Sequence, residues 1–268
     1  MGNRMPQEIE EMIRALDDRD YANRIRALDA LAQYKEFGVV PFIIPLLKDV
    51  DPAVRIAAVD TLGALGDEQA VEPLSRILAD DEDDVRLYGA LALGAIGDPN
   101  AVPALIAALQ KDDEQLQCGA AQALGMIGDR RALGPLLAAF HNSSLAVRRH
   151  AAGGLGELGD KTAVEPMLQA LTAPDPGVRT DAAYVLGQLG DSQVVEPLIR
   201  ALTDDNPDVR YVAAESLGML GNRRAVPQLA YVAHHDTGTT TWALDHAPGI
   251  RVAYAAQKAM ERIEHDHG

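Results

Sequence analysis

The side chains able to do chemistry in this 268-residue sequence are strung behind a recurring arginine, seen as Arg55, Arg86, Arg148, Arg179 and Arg210. Ala or Gly stands three places after each of them, whereas places one, two, five and nine vary. Places one, five and nine share one stripe of a helix, because about 3.6 residues complete a turn. Along that stripe and at place two lie Tyr88, Gln122, Arg149, His150, Asp181, Tyr184, Gln188, Tyr211 and Glu215. Their chemistry is that of recognition. Arg149 offers a planar fork for a carboxylate, Tyr184 and Tyr211 offer contact area with few rotors, and Asp181 and Glu215 offer acceptors. Gly153 and Gly154 leave room beside them. Trp242, the single tryptophan, follows a Gly-Thr-Thr-Thr run and completes the binding set as a partner anchor; the alternative is that it folds back over the end of the core.

Catalysis and metal binding are poorly served. Cys118 is the single cysteine, sits in an Ala-rich helix with no histidine in its own unit, and reads as a small packed residue. His234, His235, Asp236, Asp245 and His246 supply nitrogen and oxygen atoms without a spacing typical of zinc sites. A Walker loop, a G-x-S-x-G elbow and a dinucleotide fingerprint are all missing. We therefore assign no catalytic residue, metal ligand or cofactor. The arginines themselves read as a structural ladder, each reaching an acid or helix-end carbonyl in its own or the next unit near Asp51, Asp84, Asp175 or Asp208; Gln117 breaks it, leaving one acid less compensated, and marks either a tolerated drift or a place where something else binds.

These residues must be positioned by a repeat. Gly66-Asp67, Gly97-Asp98, Gly128-Asp129, Gly159-Asp160, Gly190-Asp191 and Gly221-Asn222 mark a 31-residue period. In each unit a helix bearing Val54, Ala58, Leu62 and Leu65 on one face ends at a left-handed Gly, and the following Asp caps a shorter helix with Val71, Leu74 and Leu78. Pro73 is expected to kink that shorter helix early. Asp51-Pro52, Asp175-Pro176 and Asn206-Pro207 restart the cycle with a cap and a first-turn proline. The spacing predicts an all-α, right-handed α-solenoid of about eight helix pairs, without strands and as a single domain. Residues 1–34 form an N-terminal capping pair, 35–222 the regular repeats and 223–268 a C-terminal capping pair. The last carries an insertion at 234–249, with a Gly238–Thr241 run flexible by composition, before Ile250-Arg251 resumes the motif.

Twenty-four Lys and Arg against 40 Asp and Glu give a net charge of −16. Such a surface disfavours nucleic acid, whose phosphates need clustered cations, and suits solubility or the steering of basic partners. No apolar run is long enough to cross a membrane, the N-terminal segment lacks the apolar centre of a signal peptide, and one cysteine fits a reducing compartment. These features predict a soluble, cytoplasmic protein.

The units are similar to HEAT-like repeats of the phycobilin lyase (E-Z) type, whose hallmark D-P-x-V-R-x-x-A-A-x-x-L-G-x-L-G-D-x-x-A-V-x-P-L covers nearly the whole chain from about Tyr21 to Met260. The resemblance implies that the arginine-bearing second helix of each pair lines a concave face. It also implies a protein-protein interaction scaffold or assembly factor, with a phycobiliprotein or another client protein as partner and no cofactor. The alternative it implies is a cyanobacterial phycobilisome protein of the lyase type, handling a bilin. Arg149 and His150 would then face propionates, Tyr184 and Tyr211 would pack on pyrrole rings, and Asp181 or Glu215 would accept pyrrole N–H bonds. The repeated His-Glu pairs of the family's di-iron hydroxylase are missing, as is the basic groove of its DNA glycosylase.

Overall fold

The computed structural model describes residues 6–142, 144–241 and 251–265. Among the described residues there are sixteen α-helices and no strand, only one isolated antiparallel bridge between Thr239 and Arg251. The chain is an all-α repeat array of the solenoid type, as the period predicts, and its helices fall into eight pairs. It divides into two compact units, Met1–Gly154 and Leu155–Gly268.

The first unit opens with α1 (Gln7–Ala15) and α2 (Tyr21–Leu31). Ile9 of α1 is buried while Glu8 and Glu11 face solvent, which suits an end helix. A 3₁₀ turn at Lys35–Phe37 and left-handed Gly38 (φ +62°) absorb the extra loop residues. The short α3 (Val40–Ile43) then leads to α4 (Pro52–Leu65). Next come α5 (Val71–Ile77) and α6 (Asp83–Ile96), α7 (Val102–Ala108) and α8 (Glu114–Ile127), then α9 (Leu133–Phe140) and α10 (Leu145–Leu158), within which the division falls. The second unit continues with α11 (Val164–Ala170) and α12 (Pro176–Leu189), α13 (Val195–Ala201) and α14 (Pro207–Leu220), and α15 (Val226–His235) and α16 (Val252–His265).

Local chemistry sets each boundary. Asp51 accepts the Ala53 N–H at 2.9 Å, Pro52 begins α4 without needing a donor, and Gly66 ends it at φ +62°, where a Cβ would be strained. Asp67 then accepts the Gln69 N–H at 2.9 Å. The anticipated kink at Pro73 takes another form. A 3₁₀ turn at Glu68–Ala70 precedes α5, and Pro73 lies in the first turn of the α-helix, where a missing N–H is least costly.

The second helix of each pair packs on the next: α4 on α6 and α6 on α8 in the first unit, α12 on α14 and α14 on α16 in the second. The Leu-Gly of the second helices from α4 to α14 explains how closely. A Cβ on Gly94 would stand 2.8 Å from the Cα of Ala123, and one on Gly218 would stand 2.9 Å from the Cα of Ala259. Contacts this near are repulsive, so glycine is what lets neighbouring backbones meet.

Candidate functional site

The arginine ladder comes first, because it shows which charges are already spent. Arg55 donates to the Asp49 carbonyl at 3.0 Å and to the carboxylates of Asp80 and Asp81 at 2.8 and 2.9 Å. Arg24 donates to the Asp49 carboxylate at 2.8 Å, and Arg86 to the Asp80 carbonyl at 2.8 Å and the Asp113 carboxylate at 2.7 Å. In the second unit Arg179 forks onto Asp204 with two bonds of 2.8 Å, and Arg210 onto Asp236 at 2.6 and 3.0 Å while donating to the Asp204 carbonyl at 2.8 Å. Asp49, Asp80 and Asp204 each accept from one arginine through the side chain and from the next through the backbone. Burial works against the Asp204 and Asp236 carboxylates, but the bonds from Arg179 and Arg210 hold them below the ordinary aspartate value.

Arg55 meets Asp80 and Arg210 meets Asp236, not Asp51 or Asp208, and the carbonyls of Asp49, Asp80 and Asp204 take part as well. Asp51 caps α4, and Asp208 accepts from Thr240 Oγ1 at 2.6 Å, the Thr241 N–H at 2.5 Å and Thr241 Oγ1 at 2.8 Å. Those bonds also overturn the flexibility expected of Gly238–Thr241. Thr240 is 2% exposed, and Gly238 donates its N–H to Asp236 at 2.7 Å. Nor does Gln117 strand an acid. It keeps the ladder's carbonyl contact, donating to Lys111 O at 2.8 Å, and the residue where a carboxylate would stand is Asn142, whose side chain accepts the Ser144 N–H at 2.9 Å.

What remains for recognition gathers in the second unit. Tyr184 and Gln188 of α12, Tyr211, Glu215 and Met219 of α14, and Tyr254, Lys258 and Arg262 of α16 line one cleft of about 460 Å³. Val212, Ser216, Gly218, Ala255 and Ala259 are its floor. The floor leaves space because its residues are small, and Ser216 turns its hydroxyl inward, donating to Ala183 O at 2.9 Å. Tyr211 is only 3% exposed and donates to Glu215 at 2.9 Å. Burial, then that bond, raise its pKa, so it stays a neutral phenol. Tyr254 is 53% exposed, with the Lys258 ammonium 5.8 Å from its ring centroid.

The structure thus brings together four sequence-predicted residues, Tyr184, Gln188, Tyr211 and Glu215. Tyr88 and Gln122, both exposed, half-buried Arg149 and exposed His150 belong to the first unit and are not among the cleft's walls. Asp181 must be corrected. It is 2% exposed, turned into the packed side of α12, and so offers no acceptor to a surface ligand; the bilin reading loses it. Trp242, Asp245 and His246 lie outside the described residues. His234 and His235 place Nδ1 2.6 and 2.8 Å from carbonyls of their own helix, and Asp236 is engaged by Arg210. The Cys118 thiol is pushed up to about 11 by burial and, second, by Glu114, as suits a packed residue.

Tyr254, Lys258 and Arg262 are absent from the sequence-derived set, because Arg251 looks like the ladder arginine of the last unit. The glycine contacts give a different register. Gly187 meets Ser216, two residues before the next glycine, and by the same rule Gly218 meets Ala259. Ala253 therefore occupies the ladder position, and Tyr254, Lys258 and Arg262 fall at places one, five and nine. Val252, completely buried like Val209, confirms the alignment. The first unit has a cleft of about 620 Å³ beside Asp49, Arg55 and Asp80, but those charges already belong to ladder pairs.

A family profile described as HEAT repeats matches residues 9–91, 82–152, 135–205 and 167–245. Among solved structures, YibA of Escherichia coli is 17% identical with a TM-score of 0.57, over 95% of this chain and 92% of that one. Kap95p, in its complex with RanGDP, is 15% identical with a TM-score of 0.60, over 95% of this chain and 41% of that one. The CpcE–CpcF complex of phycocyanin lyase from Nostoc is 20% identical with a TM-score of 0.46, over 99% and 97%. These likenesses concern the fold. No curated protein matches the sequence. No described helix is long and apolar enough to cross a membrane.

Proposed function

Because the chain belongs to the HEAT-repeat family, we propose that it is a binding scaffold that seats a partner protein against its second helices, centred on the cleft of α12, α14 and α16. One observation carries this reading. Three consecutive second helices present large amphipathic side chains at matching places over a floor of Gly, Ala and Ser, so the cleft is lined for contact and left unfilled by the described residues. Tyr184, Tyr254 and Met219 provide rings and a thioether that adapt to another surface, with Gln188 and Glu215 as polar neighbours. No reacting group accompanies them: Tyr211 holds its proton and Glu215 is occupied by it.

Site-specific photo-crosslinking tests the reading. A benzophenone side chain replacing Tyr254 or Met219 is expected to capture a protein from extract of the native host, and one replacing Gln169 of α11 or Arg200 of α13 is not. Capture only from α11 and α13 would transfer the working surface to the first helices. A bilin added to the purified chain is expected to keep its free absorption spectrum. A sharpened, shifted spectrum that depends on Tyr184 would instead make the cleft a chromophore site.

A further inference from the structure

Resting on that reading, we infer that the partner segment held in this cleft is acidic, and that Lys258 and Arg262 select it. The corrected register is what exposes the pattern. At places five and nine of the second helices, the array before α16 carries Asp29, Asp60, Glu157 and Glu215 among neutral residues, and no Lys or Arg. The closing helix reverses the sign, placing Lys258 at five and Arg262 at nine, one turn apart and about 6 Å along the axis. Arg262 makes no ion pair or hydrogen bond among the described residues. Lys258 touches Glu261 at 2.7 Å, but that pair is half exposed, and Glu261 is not a wall of the cleft, so the bond exchanges at little cost. Glu215, the one acid of the cleft, accepts the Tyr211 hydroxyl. Tyr211 is a neutral donor and leaves Glu215 its charge, so two cations against one carboxylate make the lining of the cleft net positive, on a chain whose net charge is −16.

Such a site is selective. At physiological salt the Debye length is about 8 Å, so the acidic remainder of the chain is screened from a partner's carboxylate that lies directly on Lys258 and Arg262. Beside those cations Tyr184, Tyr254 and Met219 form the apolar half of the cleft, and 460 Å³ admits a large side chain. The segment that fits carries an aromatic or large aliphatic anchor with carboxylates next to it, spaced to meet cations four residues apart on α16.

Selection of a displayed random 16-residue peptide library on the immobilised full chain tests this. The expected winners combine Asp or Glu with an adjacent Phe, Trp, Tyr, Leu or Met. Their affinity falls roughly two- to five-fold for Lys258→Gln or Arg262→Gln alone, and about ten-fold for both. It also weakens as NaCl rises. The double reversal Lys258→Glu with Arg262→Glu is expected to select basic peptides instead. Both side chains are exposed, so unchanged melting of these variants certifies the fold. Neutral or basic winners that are lost on Tyr254→Ala overturn the acidic assignment and leave the cleft as the binding face. Winners insensitive to Tyr254→Ala and to the reversal, or no enrichment at all, overturn both. Self-association of the chain that the reversal abolishes would make a second copy the occupant and overturn a separate partner.

Discussion

Replacing Gly218 by alanine sets two known effects against each other. In a free helix interior, Gly→Ala stabilises by about 0.5–1 kcal/mol, because glycine loses more backbone entropy on folding. At Gly218 the new methyl would stand 2.9 Å from both the Cα and the Cβ of Ala259. Carbon atoms are comfortable at about 3.5–4.0 Å, so α16 would have to retreat by roughly 0.6–1 Å, and Ala259, being backbone and methyl, has no side chain to swing aside. Overpacking of this kind costs about 1–3 kcal/mol, which leaves a net loss of up to about 2.5 kcal/mol after the helical gain. Gly153, in the middle of α10, is the control, since nothing lies within 4 Å of a Cβ built there. Gly153→Ala is expected to gain about 0.5–1 kcal/mol. Urea titrations followed by far-ultraviolet circular dichroism measure both, the midpoint moving down for Gly218→Ala and up for Gly153→Ala. If Gly218→Ala stabilises as much as the control, the helices are not held at backbone contact and the register drawn from Ala259 is wrong.

Two more outcomes follow from the ladder and from the threonines on Asp208. Folding lowers the Asp204 and Asp236 carboxylates below their ordinary value of 3.8, so the unfolded chain binds protons more readily; their contribution is complete above that value and is lost as pH falls through the lowered folded values. Asp204→Asn should therefore flatten the acid limb of the stability curve below about pH 4, and an unchanged limb would deny the rung its role. Asp208→Ala removes the acceptor of three bonds and should cost about 1–3 kcal/mol locally, accelerating exchange of the Thr241 amide hydrogen by roughly ten-fold or more; unaltered exchange would mean that these bonds do not hold the segment.

The repeat was legible in the sequence because each of its boundaries is local: Gly66 and Asp67 adjoin, as do Asp51 and Pro52, and caps act within a turn. Val54, Ala58, Leu62 and Leu65 proved fully buried for the same reason, since a 3.6-residue period alone defines that face. Tertiary pairing was not legible. Arg55 passes over Asp51, which lies near it in sequence, and meets Asp80 of the next unit; Asp80 accepts a backbone N–H just as Asp51 does, so capping does not decide which acid pairs. Asp181 shares the label of a free position with His150 and Tyr88, yet only Asp181 is turned inward, and composition carries no sign of that difference. The closing stripe was hidden by Arg251, whose resemblance to a ladder residue moved the register by two. A contact pattern, Gly187 with Ser216 and Gly218 with Ala259, was needed to correct it.

The shared rungs constrain how such a chain can be shortened or lengthened. Excising residues 25–55, one full period, would bring Asp80 to the place where Arg24 now finds Asp49, and the splice would preserve an arginine–carboxylate pair. Excising residues 87–117 would be different. Arg86 would then face the segment of Asn142 and Ser144 in place of Asp113 and keep only the exposed Asp83 as a counter-ion, because the rung at Gln117 has no carboxylate at its Asn142 end. Duplication of the residues that carry that rung obeys the same rule. A ladder that looks uniform thus contains one joint at which recombination between otherwise equivalent modules costs a part-buried ion pair.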